Sequence, residues 1–355
     1  MQRPAHTTLG LAVLLTLGLH LRAQPLSGTA EAQRLANATV AADGSANYTT
    51  IQDAINAVPQ NTTADRRWII FVKAGTYREI VYVQREKRFV TLVGEDPATT
   101  IITYGLHANL IGLDGKPIGT FRTPTVTIDA DDFSAENVTF ENSAGPVGQA
   151  LAVRVDGDRA VFRNSRFLGW QDTIFLNRGR HAFEDCVVTG HVDFIFGGAT
   201  AFFERCRIHA LRNGYLTAAS TPAEQPHGFV FAHGRITGEP GVKTYLGRPW
   251  RDYAQTTFVA TEMSDVVRPE GWHNWDKPER EKTSRYREAE NTGAGAAMKD
   301  RVPWMKPLAP ADVAQLTPVR VLRGDDGWDP SRVPSYPSPR KASDAPITPA
   351  NARQE

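Results

Sequence analysis

The sequence predicts an all-β solenoid, a right-handed parallel β-helix with single-stranded coils of about 20–25 residues and a short helix capping its N-terminal end. Three observations carry that prediction: an internal repeat, a scarcity of helical periodicity, and a length that no linker divides. Phe162-Arg163-Asn164-Ser165, followed by Gly169, Asp172, Ile174 and Phe175, recurs 21 positions later as Phe183-Glu184-Asp185-Cys186, followed by Gly190, Asp193, Ile195 and Phe196. A third copy, Phe203-Glu204-Arg205-Cys206 with Ile208, is displaced by 20, and Ala135-Glu136-Asn137 with Phe140 is a weaker earlier one. Short strands repeating at this length stack coil on coil, and parallel crossovers are right-handed in nearly all cases. The Leu-x-x-Leu-x-Leu pattern of a leucine-rich solenoid is missing.

The elements follow in order. Arg3, the apolar run Leu9 to Leu19, and Leu21-Arg22-Ala23 have the charged, apolar and small-residue order of a secretory signal peptide, so residues 1–23 are expected to be cleaved after Ala23. The run is about half the ~20 residues of a membrane span. Export to the periplasm or the exterior follows, with no membrane attachment after cleavage. Residues 24–36 form a short N-terminal segment. The helix candidate is Tyr48 to Val58, where Ile51, Ala54, Ile55 and Val58 fall at helical spacing before Pro59. Trp68–Val72, Phe89–Val93, Thr125–Ile128, Val138–Phe140 and Leu151–Val155 read as β-branched and aromatic strands bounded by Gly, Asn and Asp. The solenoid is assigned to residues 37–328. From Asp329 to Glu355 the chain is rich in Pro, Ser and charge without an apolar period, and is expected to be disordered or draped on the surface. Cleavage leaves 38 basic against 39 acidic residues, a formal charge of −1, which gives nucleic acid nothing to bind.

Stacking has geometric consequences, because equivalent positions on successive coils lie ~4.8 Å apart. Cys186 and Cys206 occupy the same repeat position, within reach of a disulfide, which in an exported protein is expected to form and to add on the order of 3 kcal/mol. Two buried free thiols are the alternative. Asp172 and Asp193 are equivalent too. Two carboxylates ~5 Å apart at an effective dielectric near 20 repel by roughly 3 kcal/mol, about two pKa units, so one is expected to hold a proton while the other is charged. An acid and a nucleophile or base then coexist at one pH. A structural ladder of side chains and a calcium site remain as alternatives, although the neighbours Gln171, Phe175, Phe194 and Phe196 bring no further acid.

Five segments in order carry a resemblance: Gly75-Thr76-Tyr77-Arg78-Glu79, Gln149-Ala150-Leu151-Ala152-Val153, Gln171-Asp172-Thr173-Ile174, Asp193-Phe194-Ile195-Phe196-Gly197 and Leu246-Gly247-Arg248-Pro249-Trp250. Together they resemble the pectin methylesterase (pectinesterase) family from about Val40 to Trp304. The resemblance implies hydrolysis of the C6 methyl esters of polygalacturonate through an aspartyl acyl-enzyme. It casts Asp193 as nucleophile, Asp172 as general acid and then base, Gln149 and Gln171 as donors to the oxyanion, and Arg248 as the partner of the nucleophile. It places Phe121, Phe175, Phe196, Tyr245, Trp250 and Trp275 in the substrate groove, with no metal, no cofactor and a monomer expected. The chain departs from the familiar plant pattern with Ile174 for Leu, Gly198 for Asn and His191 for a small residue. None of these touches the named chemistry, and Trp170 at the repeat position equivalent to His191 points to a surface or groove-wall role for it. No separate inhibitory pro-domain is expected.

The residues themselves suit acyl transfer, since neither a Gly-x-Ser-x-Gly elbow nor a His-Glu-x-x-His motif occurs. An esterase or thioesterase on another acyl substrate, a polyuronate lyase and a non-catalytic carbohydrate-binding solenoid are the competing functions.

Overall fold

The computed structural model describes residues 28–347. The expected signal peptide lies outside the described residues. Among those residues, no helix is long and apolar enough to cross a membrane.

The chain winds into a parallel β-helix. One sheet of 11 strands runs in pure chain order from Ala38–Val40 to Lys306–Pro307, skipping one or two strands at every step except the first and the last, which skip none. The other strands make a 13-stranded sheet folded around a corner. The long strands Val187–Gly197 and Arg207–Ala219 belong to both of its sides, so the corner there is turned without a break.

Coils close at corners where the backbone must take a left-handed conformation. Asn137, Asn164, Asp185, Arg205, His233, Ala260 and Glu290 all have φ between 44° and 60° and mark one corner on successive coils. Asn and Asp adopt this conformation most readily among non-glycine residues, which explains the polar residue in the repeated Phe-x-Asn/Asp motif. Two positions before each of these residues the side chain points inward. Phe162, Phe183, Phe203, Phe231 and Phe258 form a continuous ladder with ring centroids 4.8, 4.5, 4.4 and 4.6 Å apart and planes within 13°. Offset-stacked rings at the strand spacing fill the core and fix the register.

Both ends of the core are closed. At the N-terminal end the helix Ile51–Asn56 buries Ile51, Ala54 and Ile55. Its first turn is capped by Thr50, whose Oγ1 accepts from Asp53 N–H, and by Glu79, whose carboxylate accepts from the N–H groups of Ile51 and Gln52. The sequence places this helix correctly but two to three residues too long at each end, and it does not foresee a second helix, Gly28–Leu35, against the strand Trp68–Val72. At the other end Trp272 stacks on Tyr286 at 4.1 Å, and Glu288 pairs with Arg301 at 2.9 Å, both side chains fully enclosed.

One expectation left two alternatives, of which the structure shows the surface course, and another needs correction. The tail from Asp329 is ordered through residue 347. It runs back over the outer surface of the 11-stranded sheet, where Ser335 Oγ and Tyr336 N–H donate to Glu136, Asn164 donates to Arg340 O and Ala342 N–H donates to Asn164. Proline-rich chain without its own apolar period is anchored here by a few buried side chains, Tyr336 and Ala342 among them, and by main-chain bonds to charged residues of the coils. Cys186 and Cys206, expected to be bonded, are buried free thiols. Each sulfur instead faces carbonyls, Cys186 Sγ at 3.4 Å from Glu184 O and Cys206 Sγ at 3.5 Å from Glu204 O. The two thiols also hydrogen-bond to each other, so the stack brings them together without joining them.

Candidate active site

Asp172 and Asp193 stand on adjacent coils of the folded sheet, in the register set by Ile174 opposite Ile195 and Phe175 opposite Phe196. Both are non-glycine residues with positive φ, 63° and 51°. Each therefore sits at a corner, which turns its carboxylate out of the strand alternation and costs about 1–3 kcal/mol of backbone strain. The main chain ties them together, since Asp172 N–H donates to Val192 O at 3.1 Å. Both carboxylates are buried, at 8% and 6% exposure.

Their surroundings differ. Arg248, from the turn after the strand Thr244–Gly247, donates Nε to Asp193 Oδ1 at 2.8 Å and Nη2 to Oδ2 at 2.7 Å. This is the two-point geometry in which a guanidinium binds a carboxylate best. Its plane lies between the rings of Tyr215 and Trp275, 3.9 and 3.7 Å from the two centroids. No cation is bonded to Asp172 among the described residues. Burial, and then the neighbouring charge of Asp193, hold the Asp172 carboxyl well above the ordinary carboxylate range, and the more distant Arg248 opposes them only in part. Burial raises Asp193 as well, but there the hydrogen bonds and charge of Arg248 pull the other way. The two surroundings thus differ in one sense, with the proton favoured on Asp172 and the charge favoured on Asp193.

Gln149 and Gln171 bridge to each other on adjacent coils beside the pair. Their side-chain amides have no hydrogen-bond partner among the described residues and are half-buried, available to a group arriving from solvent. Ala108 N–H donates to Gln149 O and fixes its backbone.

The aromatic residues fall into two sets. Phe175 and Phe196 stack at 4.6 Å, Phe121 leans on Phe175 at 5.1 Å, and Trp250 meets Phe196 edge-on at 5.7 Å. Phe175 and Phe196 are only 4% exposed, so Phe121, at 46%, and the half-buried Trp250 offer most of the open ring surface. Tyr245 lies in the stack around Arg248, on Tyr215 at 5.4 Å, and Trp275 joins the two sets, packing against the Phe175 and Phe196 cluster beside Trp250 while it covers Arg248. His191 packs against Trp170 at 5.8 Å on the neighbouring corner, and burial lowers its basicity.

Sequence reasoning missed Tyr215, His273 and Arg154. Arg154 pairs with Asp156 and lies over Phe175 at 5.7 Å. The only signal for it is its position in the ladder Thr127, Arg154, Phe175, Phe196, which strand register reveals and a single sequence does not. The described residues hold no group of three or more His, Cys, Asp or Glu placed to bind a metal.

The profile of the pectinesterase family matches residues 37–325. Pectinesterase 31 of Arabidopsis thaliana is 41% identical over 276 residues, covering 76% of this chain and 86% of that protein. The chain spans about half the length of several Arabidopsis pectinesterase/pectinesterase inhibitor proteins that it also matches. Pectin methylesterase from carrot superposes with a TM-score of 0.78 at 34% identity, covering 85% of this chain and 97% of that one. A pectin methylesterase in complex with a hexasaccharide gives 0.71 at 32%, covering 83% and 98%.

Proposed function

The chain belongs to the pectinesterase family and is a carboxylic ester hydrolase of pectin, and on that premise we propose that Asp193 and Asp172 divide the reaction between them. The ionised Asp193, oriented by Arg248, attacks the C6 carbonyl of a methyl-galacturonate unit. The side-chain amides of Gln149 and Gln171 donate to the oxygen as it becomes an anion. Asp172 gives its proton to the methoxy oxygen, methanol leaves, and an acyl–Asp193 anhydride remains. Asp172, now a carboxylate, takes a proton from water, the hydroxide attacks the acyl carbon, and Asp193 departs as a carboxylate. The products are a galacturonate carboxylate, methanol and an enzyme with its proton back on Asp172.

The observation that carries this reading is the asymmetry of the pair: two carboxylates in register, one bound at two points by Arg248 and one without a cation. The groove wall of Phe121, Phe175, Phe196 and Trp250 supplies apolar surface for sugar rings. The hexasaccharide held by a related enzyme agrees with a polymer lying along it. Asp193→Asn tests the reading through methanol release from pectin. Activity is expected to vanish with the fold unchanged, and near wild-type release would make the assignment of the nucleophile wrong.

Export behind residues 1–23, cleavage after Ala23 and action as a monomer belong to the same proposal. N-terminal sequencing of the exported protein and light scattering test them, and an N-terminus other than Gln24 or a dimer mass would refute the corresponding part.

A further inference from the structure

Arg248 is held by more than its carboxylate. The stack that contains it runs Trp275, Arg248, Tyr215, Tyr245, Arg268, with the guanidinium carbon of Arg268 4.9 Å from the centroid of Tyr245 and the two tyrosine rings 11° from parallel. His273 meets the edges of both tyrosines, at 5.5 and 5.2 Å, and its Nδ1 accepts the backbone N–H of Trp275 at 3.0 Å. Trp275 and Asp276 both have positive φ, 63° and 55°, and Asn274 Oδ1 accepts from Asp276 N–H at 3.0 Å. Two successive non-glycine residues in this conformation persist only where their surroundings over-determine them.

What is over-determined is the ring plane of Trp275, which lies on the guanidinium. An arginine side chain is long and rotatable, and two-point binding needs its plane to contain the carboxylate. Aromatic faces on both sides leave the group one plane. We infer that Tyr215, together with His273 and Trp275, is a positioning clamp that fixes the plane of Arg248 and so the orientation and charge of Asp193. Tyr215 makes no hydrogen bond to either carboxylate among the described residues and acts only through Arg248. The inference rests on the reading of Asp193 as nucleophile. The other charged or titratable groups facing Asp193 are Asp172 from the preceding coil, Arg248 itself and the buried hydroxyl of Tyr286.

The test is a double-mutant cycle on methanol release, read as kcat, KM and the acid limb of the pH–rate profile. Tyr215→Leu removes the ring face. Because geometric slips of about 1 Å cost up to about a hundredfold, kcat is expected to fall ten- to a hundredfold with KM little changed. A loosened Arg248 supports the charged form of Asp193 less well, so the acid limb moves to higher pH. Tyr215→Phe keeps the ring and restores most of both. In an Arg248→Lys background, where no planar group remains to be held, Tyr215→Leu is expected to cost less than about twofold. Tyr215→Met, of similar volume, replaces the Leu variant if that one does not fold. An unshifted acid limb with wild-type kcat in Tyr215→Leu, or an equal loss in both backgrounds, overturns the clamp. If Asp193→Asn retains activity the underlying reading fails instead, and if only the tyrosine result fails, the reading stands without the clamp.

Discussion

Along the 11-stranded sheet the outward row Val161, Ala182, Phe202, Val230 is roofed by Val321 and Leu322 of the short helix Pro318–Leu322, which precedes the tail. Along the opposite side of the solenoid the outward row Arg154, Phe175, Phe196 has Phe121 and Trp250 beside it and no such roof. The charges differ in the same sense. On the covered face Asp158 and Asp326 are shared between Arg159 and Arg180. On the open face, among the described residues, Asp172 has no bonded cation and two glutamine amides have no partner. Apolar ladders pointing out of a β-helix are thus not enough to mark a groove. What marks it is the combination of an uncovered ladder with polar groups left unsatisfied. A cavity of about 570 Å³ does exist on the covered side, lined by Glu136, Arg163 and Ser335 under the tail, but it holds none of the chemistry.

The sharpest way to break this comparison is to treat the roof as expendable. Leu322 is fully buried, and Leu322→Ala is expected to cost about 2–5 kcal/mol. The thermal midpoint should drop clearly while methanol release per folded molecule stays at the wild-type value. Unchanged stability would mean that the helix Pro318–Leu322 is a passenger.

Asp172→Asn inverts that pattern. Methanol release is expected to fall by about a hundredfold to ten-thousandfold, the range of general acid–base catalysis. Stability should move the other way. The folded Asp172 carboxyl binds its proton more tightly than the unfolded one, so the ionised group destabilises the fold above the ordinary carboxylate pKa, by more as pH rises toward the folded value. The Asn variant is therefore expected to melt higher than the parent near neutral pH, with the gap closing below about pH 4. A lower melting point at neutral pH would show that Asp172 is structural.

Trp250→Ala affects the open ladder alone. The KM for polymeric pectin is expected to rise roughly tenfold with little loss of stability, since the ring is only half-buried. An unchanged KM would place the sugar elsewhere. The smallest effect is expected at the thiols: titration of the denatured, unreduced protein should find two, and a reductant should leave the melting point where it was. Finding none would restore the disulfide.

How far the sequence reaches follows from coil length. Between Phe162 and Phe203 the coils are 21 and 20 residues, so the repeat is visible and the Asp pair, the Cys pair and the phenylalanine ladder come into register on paper. From Phe203 to Phe231 and Phe258 the same ladder continues at spacings of 28 and 27, and the period is lost to the eye although the stacking is unbroken. Tyr215, in the first of those longer coils, and His273, beyond the second, were hidden for that reason. Tyr245, Trp250 and Trp275 follow from the motif, but only the structure shows that Trp250 lies with the groove rings, Tyr245 with the stack around Arg248, and Trp275 with both. Composition leaves the tail between disorder and a surface course, because it reports the absence of an independent core and says nothing about docking on someone else's. Tyr336 and Ala342 do that with two side chains.

The central claim is that one register step creates two unlike carboxylates. Carbon-13 NMR titration of the aspartate carboxyl groups reads it directly. The predicted result is one Asp resonance that titrates well above the usual range near 4 and disappears in Asp172→Asn. A wild-type enzyme in which no aspartate titrates high, or a high-titrating resonance that survives Asp172→Asn, would contradict it.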